Sequence, residues 1–327
     1  MKIKTFKFLL LVFFLQVSAL VYASERIETK DFQVVYAKAH ALAQKYGNQG
    51  VLLVYDIDNT LLAMNQDLGS DQWFTWQETK IKNGDFTDAV AKDFPGLLSA
   101  QGTLYALSSM HTPQPETPAL IAQLQSENFT SLVLTSRGSD YRNATSRELE
   151  KNGIHMALTA LEPKEGFAST YLPYDLNHLS ESGLTVEEVK TLGLGQPRPV
   201  SYEDGIFMGS GQHKGAMLRT LLYKTAYNFP AIIFIDDQVK HLDRMEAAFS
   251  TQGVELITIR YGREDENVLR FQNSDKHSVI NGWNNLNSLL KGLFPERISS
   301  DIALRSLQGY VCDDSGNCCS EGNCGDT

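Results

Sequence analysis

Three short apolar runs in this 327-residue chain each end in groups that could do chemistry together. Val51–Tyr55 runs into Asp56-Ile-Asp58-Asn-Thr60, Ser131–Leu134 into Thr135-Ser136-Arg137, and Ala231–Ile235 into Asp236-Asp237. Between the last two, Gly209-Ser-Gly-Gln-His-Lys214-Gly215 opens a helical pattern. Carboxylates placed directly after buried runs are costly unless a cation meets them. A helix N-cap accounts for one acid of the Asp236-Asp237 pair but not for both, and a lysine at a helix start opposes the helix dipole. A carboxylate-rich oxygen site suits Mg²⁺, which takes one or two carboxylates together with substrate phosphate and keeps several waters. A lysine and a hydroxyl nearby suit phosphoryl oxygens. Thr135 is the candidate hydroxyl, with Ser136 competing for the role. Two roles are open to Arg137: contact with substrate, or pairing with a sheet-end carboxylate. His213 beside Lys214 reads as a solvated loop histidine, and His111 and His241 carry less signal still.

These groups can share one crevice only if the runs lie side by side. The runs are continuous and apolar, as expected for strands buried on both faces, and Val254–Ile259 is a fourth of the same kind. Helical spacing marks Thr29–Tyr46, Thr117–Ser126, Ser139–Asn152, Gly215–Tyr227 and Val239–Gln252. Strands alternating with helices of this length predict an α/β fold, a parallel sheet with helices on both faces. In such sheets ligands bind at the carboxyl ends of the strands, where the polar clusters fall. Asp204-Gly205 predicts a tight hairpin within Val200–Met208. Two stretches break the alternation: about 63–112, read as an inserted helical cap, and about 161–199, read as a loop-rich insertion. Within the first, Trp73, Phe74 and Trp76 could stack on a substrate ring, but Trp73, Phe74 and Gln77 share a helical face and are expected to pack on the core.

Asp56-x-Asp58-x-Thr60, Thr135, Lys214 and Asp236-Asp237, each placed after a predicted strand or at a predicted helix start, resemble the four motifs of the haloacid dehalogenase (HAD) superfamily of aspartate-nucleophile phosphatases. The resemblance covers about 30–295. The helix pattern Arg137-x4-Arg142-x2-Thr145-x3-Leu149-x3-Gly153 is similar to that of bacterial secreted acid phosphatases in this superfamily, and the whole is most similar to exported HAD-like proteins of Gram-negative bacteria. The resemblance implies a HAD-type Rossmann-like core with a cap after the first strand. It also implies a Mg²⁺-dependent phosphomonoester hydrolase in which Asp56 is the nucleophile and Asp58 the general acid and base. Thr135 and Lys214 would bind the phosphoryl group. Metal ligands would come from Asp56, the backbone carbonyl of Asp58, Asp237 and, directly or through water, Asp236. Phosphotransfer to an acceptor alcohol on the same scaffold, and a non-catalytic HAD-like surface or binding protein, are the rival readings. Dehalogenase chemistry is disfavoured, because Asp58 serves to protonate a leaving group that a halide does not need.

Composition sets the context. With 42% apolar and 21% charged residues the chain can build a core and is not a low-complexity protein. A net charge of −10 argues against a nucleic-acid partner, which usually meets a basic stripe. A basic start (Lys2, Lys4, Lys7), an apolar stretch over Phe8–Tyr22 and the small-residue site ending at Ala23 predict a secretory signal peptide over 1–23, removed to leave a periplasmic or secreted protein with no stable membrane span. The body, 24–300, has no cysteine; Cys312, Cys318, Cys319 and Cys324 all fall in a tail over 301–327. In an oxidising compartment their even number favours two disulfides, with three pairings open. The expected partner of the body is a small phosphorylated substrate, and a protein partner of the tail is not defined by the sequence.

Overall fold

A computed structural model describes residues 24–161 and 168–295, together with the backbone of 310–312 and 318–320. The chain opens with strand β1 (Ser24–Thr29) and helix α1 (Gln33–Tyr46), and then enters the first apolar run as β2 (Val51–Tyr55). An excursion follows: β3 (Ala63–Met64), α2 (Asp71–Lys82), α3 (Phe94–Leu107) and β4 (Met110–His111). The alternation resumes with α4 (Thr117–Ser126), β5 (Thr130–Thr135) and α5 (Arg142–Lys151). After short α6 (Val186–Thr191) come β6 (Ser201–Glu203), β7 (Ile206–Met208), α7 (Lys214–Thr225), β8 (Ala231–Asp236), α8 (Val239–Phe249) and β9 (Glu255–Tyr261). The described body closes with α9 (Asp265–Asn273) and α10 (His277–Leu293).

The fold is α/β with a seven-stranded central sheet in the order β1-β9-β8-β2-β5-β7-β6. Every neighbouring pair is parallel except β6 and β7, the hairpin predicted around Asp204-Gly205, both of which take positive φ there. The alternating side chains of β2 divide the core between the two faces of the sheet. Val51, Leu53 and Tyr55 pack with Phe32, Val35 and Ala39 beside α1, and with α4 and α5. Leu52 and Val54 pack with Met217 and Leu221 of α7 and with Leu242 and Met245 of α8. Helices therefore cover both faces, which is why the strands read as unbroken apolar runs. The chain leaves β2 toward β5 and β7 and then crosses back to β8, so the strand order reverses between β2 and β8, where such sheets open a crevice.

The excursion between β3 and β4 is pinned at its base by the antiparallel pairing of those two strands, and it packs through Trp73, Leu97 and Leu104 against Phe271 and Val279. Trp73 is buried, as the core-packing reading expected, and Trp76 meets Phe271 edge-on at 6.2 Å. Phe74 meets Phe94 in the same manner. Outside the two insertions and the tail, three elements had no sequence counterpart above: β1, α9 and α10. Among the described residues no helix is long and apolar enough to cross a membrane. The expected signal peptide and the cysteine side chains lie outside the described residues; of the tail, β10 (Tyr310–Cys312) and β11 (Cys318–Ser320) pair antiparallel.

Candidate active site

Strand β2 sits between β8 and β5, and all three carry their polar residues at the same, carboxyl end. Asp56 extends the ladder by one residue, its N–H donating to Ile235 O at 2.9 Å. The chain then curls out of the sheet: the N–H groups of Thr60, Leu61 and Leu62 all donate to the Ile57 carbonyl, with Asn59 at φ 58° in the left-handed region that asparagine tolerates. Asp58 thus stays beside Asp56 rather than continuing along the strand. At the end of β8, Asp236 Oδ1 accepts the Gln238 N–H at 2.8 Å in a turn ahead of α8, whose N-cap Gln238 has no side-chain cap, so capping explains neither acid. Lys214 enters from the first turn of α7, which begins after His213 accepts the Ala216 N–H on Nδ1. Gly215 follows because α8 passes close by: a Cβ there would lie 2.5 Å from the Arg244 carbonyl oxygen.

The result is a buried cluster of charge. Carboxylate oxygens of Asp56, Asp236 and Asp237 all lie within 4.8 Å of one another. Lys214 Nζ bridges two of them, at 2.5 Å from Asp56 Oδ1 and 2.6 Å from Asp236 Oδ2. Among the described residues the Asp237 carboxylate has only amide donors, Gln238 Nε2 at 2.8 Å and Asn59 Nδ2 at 3.5 Å. Three carboxylates thus face one ammonium away from water. Burial pushes the Asp56 carboxyl up to about 8 despite the pull of Lys214, with Asp236 and Asp58 adding repulsion. Burial, then Asp71 and Asp236, raises Asp237 well above the usual range, and burial raises Asp236 although Lys214 opposes it. Burial works against the Lys214 charge, but Asp236 and Asp56 outweigh it and hold the ammonium charged. The deficit of positive charge is what a divalent cation supplies, and an all-oxygen set of this size could hold one.

Asp58 is held from the other side. Arg137 forks onto it, Nε to Oδ2 at 3.0 Å and Nη2 to Oδ1 at 2.7 Å, while its guanidinium lies 4.1 Å from the Tyr105 ring centroid and its Nη1 donates to Thr145 Oγ1. Of the two roles open to Arg137, pairing with a sheet-end carboxylate is the one seen. Thr135 is buried and its hydroxyl accepts the Arg137 N–H at 3.2 Å; Ser136 is exposed. The Thr60 hydroxyl is buried without a partner. His213 is spent as a cap, and burial, with Arg244 nearby, lowers its pKa to about 4. His241 is buried with Nδ1 unpartnered, and burial together with Lys214 keeps its ring neutral. His111 bonds Asn65 in the excursion.

One acid near this cluster had no signal in the sequence. Asp71, the first residue of α2 after the Ser70 cap, reads locally as a favourable helix-start acid. The excursion carries it toward the strand ends, where burial and then Asp58 raise its pKa to about 6 and where it in turn raises Asp237.

Residues 28–294 match the family described as "Protein of unknown function (DUF2608)", and the chain belongs to that family. No curated protein matches it.

Proposed function

We propose that this member of the family is an exported, Mg²⁺-dependent phosphomonoester hydrolase that works through an aspartyl-phosphate on Asp56. The observation that supports this most is the convergence of Asp56, Asp236 and Asp237 at adjacent parallel strand ends, with Lys214 bridging two of them. In this reading the sheet is a HAD-type Rossmann-like core and the β3–β4 excursion its cap. Mg²⁺ held by Asp56, Asp236 and Asp237 would offset repulsion between the nucleophile and an anionic substrate and orient the phosphoryl group.

The protein's own groups divide the work. Lys214 occupies Asp56 Oδ1, which leaves Oδ2 to attack phosphorus in line; the P–O ester bond breaks as the P–O bond to Asp56 forms. The departing alcohol oxygen takes its proton from Asp58. In the second half, water attacks the phosphorus of the aspartyl-phosphate, Asp58 takes the water proton, and inorganic phosphate leaves with Asp56 regenerated. Arg137 holds both Asp58 oxygens when that group is ionised, as the base of the second half, and gives up one of them when Asp58 carries the proton for the first, which makes it a positioning residue. Thr135 and Lys214 supply a hydroxyl and a fixed positive charge for the phosphoryl oxygens. The test is hydrolysis of p-nitrophenyl phosphate with Mg²⁺, with EDTA, and by Asp56→Asn. Mg²⁺-dependent turnover lost in both controls is expected; turnover that survives Asp56→Asn would overturn the proposal.

A further inference from the structure

Among the described residues every arginine forms an ion pair with a carboxylate except Arg198, Arg244 and Arg263. Arg263 is exposed, and Arg244 lies on α8 near His213 and His241. Arg198 is half-buried and stands at the end of the sheet where the crevice opens. Strand β6 pairs antiparallel with β7, Ser201 opposite Met208, so the chain just ahead of β6 lies at the carboxyl end of the parallel strands. The loop after β7 is laddered onto the end of β5: the N–H groups of Gly209, Ser210 and Gly211 donate to the carbonyls of Thr135, Arg137 and Ser136 at 2.8, 3.1 and 2.8 Å. Arg198 Nε donates to Ser210 O at 3.0 Å. The guanidinium therefore rests against a loop that is bonded to Thr135 at one end and leads into Lys214 at the other.

The position is built. Pro197 and Pro199 flank Arg198 and stiffen the backbone on both sides. Gln212 clasps it, accepting the Arg198 N–H on Oε1 at 2.9 Å and donating from Nε2 to the Arg198 carbonyl at 3.0 Å. Ser210 uses only Nε; Nη1 and Nη2 donate to no group among the described residues. Nη2 lies 3.5 Å from the point that a Cβ on Gly211 would occupy, which keeps it against the loop. Burial lowers the Arg198 pKa, and the Tyr174 phenol, not a carboxylate, opposes it. A cation held partly away from water with no anion carries a cost that an anionic ligand removes. Two unspent guanidinium nitrogens match a phosphate or a carboxylate. Along the strand ends the charge thus changes sign, from Asp236, Asp237 and Asp56 on β8 and β2, past Thr135 on β5, to Arg198 beyond β7.

We infer, resting on the phosphatase reading, that Arg198 is a specificity-determining residue: it takes a second anionic group, phosphate or carboxylate, of a substrate whose first phosphoryl group is held at Asp56. The preferred substrates are then phosphomonoesters that carry a further negative charge. The test is kcat/KM with Mg²⁺ on matched pairs: phenyl phosphate and 4-carboxyphenyl phosphate, glycerol 3-phosphate and 3-phosphoglycerate, fructose 6-phosphate and fructose 1,6-bisphosphate. In at least one pair the second anion is expected to raise kcat/KM about tenfold or more, mainly through KM. Arg198→Gln should bring that ratio close to one, and Arg198→Lys should keep part of it, since the charge stays and the fork is lost. A purely structural role for Arg198 would lower both members of a pair alike. A ratio that survives Arg198→Gln therefore overturns the inference, and so does turnover of phenyl phosphate with no preference in any pair. No turnover of any of these compounds would overturn the phosphatase reading itself, and the inference with it.

Discussion

The acid crevice and the tryptophan cavity are built by opposite means, although α2 borders both. The crevice is assembled from the ends of rigid parallel strands, and what it leaves unmet is charge: Asp56, Asp236 and Asp237 against Lys214. The cavity, lined by Trp73, Trp76 and Trp283, is assembled from helices of an excursion and of the last part of the body, and its walls are neutral and held within the protein: Gln77 bonds the loop at 88–90 and Trp73 is buried. Buried, unbalanced charge is tolerated where a cation and an anionic substrate complete it. Neutral groups satisfied by packing and by one another need no such partner. One region is shaped for reaction, the other for holding the excursion against the last helices.

Substitutions can break this contrast, and the largest expected effect is at the crevice. Asp56→Asn removes the nucleophile and should lower p-nitrophenyl phosphate turnover by about 10⁴-fold or more, as losing a covalent catalyst does elsewhere. Turnover that survives it would mean that the crevice is not shaped for this reaction. Arg137→Lys keeps the charge but loses the fork that holds Asp58. Misplacing a reacting group should cost up to about 10²-fold in kcat and change the pH profile, with KM little affected; an unchanged profile would remove Arg137 from its positioning role.

Stability against pH sharpens the same contrast. In the metal-free protein Asp56 is raised to about 8 and Asp237 is also raised. Between the ordinary carboxylate pKa and those values the folded state holds protons that the unfolded chain has released, so stability falls as pH rises through that window. His213 and His241, whose pKa values are lowered, act the other way below about pH 6.5, so in EDTA the drop in Tm should be clearest between pH 7 and pH 8. Mg²⁺ requires the ionised carboxylates, so the Tm gain it gives should grow over the same range. A Tm in EDTA that does not fall, or a Mg²⁺ gain larger at pH 5, would contradict the charge assignment. The smallest effect is expected from Trp283→Ala, in a partly exposed helix face: about 1 kcal/mol of stability, with turnover retained. A large loss of turnover would tie the cavity to the reaction.

Much of the crevice was legible because strand, turn and helix start are local events. Val51–Tyr55 and Ala231–Ile235 read as buried strands, and their polar ends fall where the structure puts them together. Asp71 was hidden for the converse reason: its sequence context is that of any capped helix start, and only the packing of the excursion brings it near Asp58. Strand β1 escaped because it is an edge strand with few buried side chains, held by pairing to β9 and by Arg26 on Asp243 and Glu246 rather than by an apolar run. Helix α10 escaped because its face contributes little to the core; Val279 is its only buried residue. The aromatic trio was half legible. Helical spacing announces the packing of Trp73, but the partner wall that turns Trp73 and Trp76 into a cavity comes from α10, some two hundred residues on.

The central claim is that Asp56 becomes phosphorylated in turnover. The direct measurement is mass spectrometry of protein quenched in acid during steady hydrolysis of p-nitrophenyl phosphate with Mg²⁺, followed by peptide mapping. The account predicts one added phosphoryl group on the peptide that contains Asp56, absent in Asp56→Asn and absent in EDTA. Steady product formation with that peptide unmodified, or a phosphoryl group on any other residue, would contradict it.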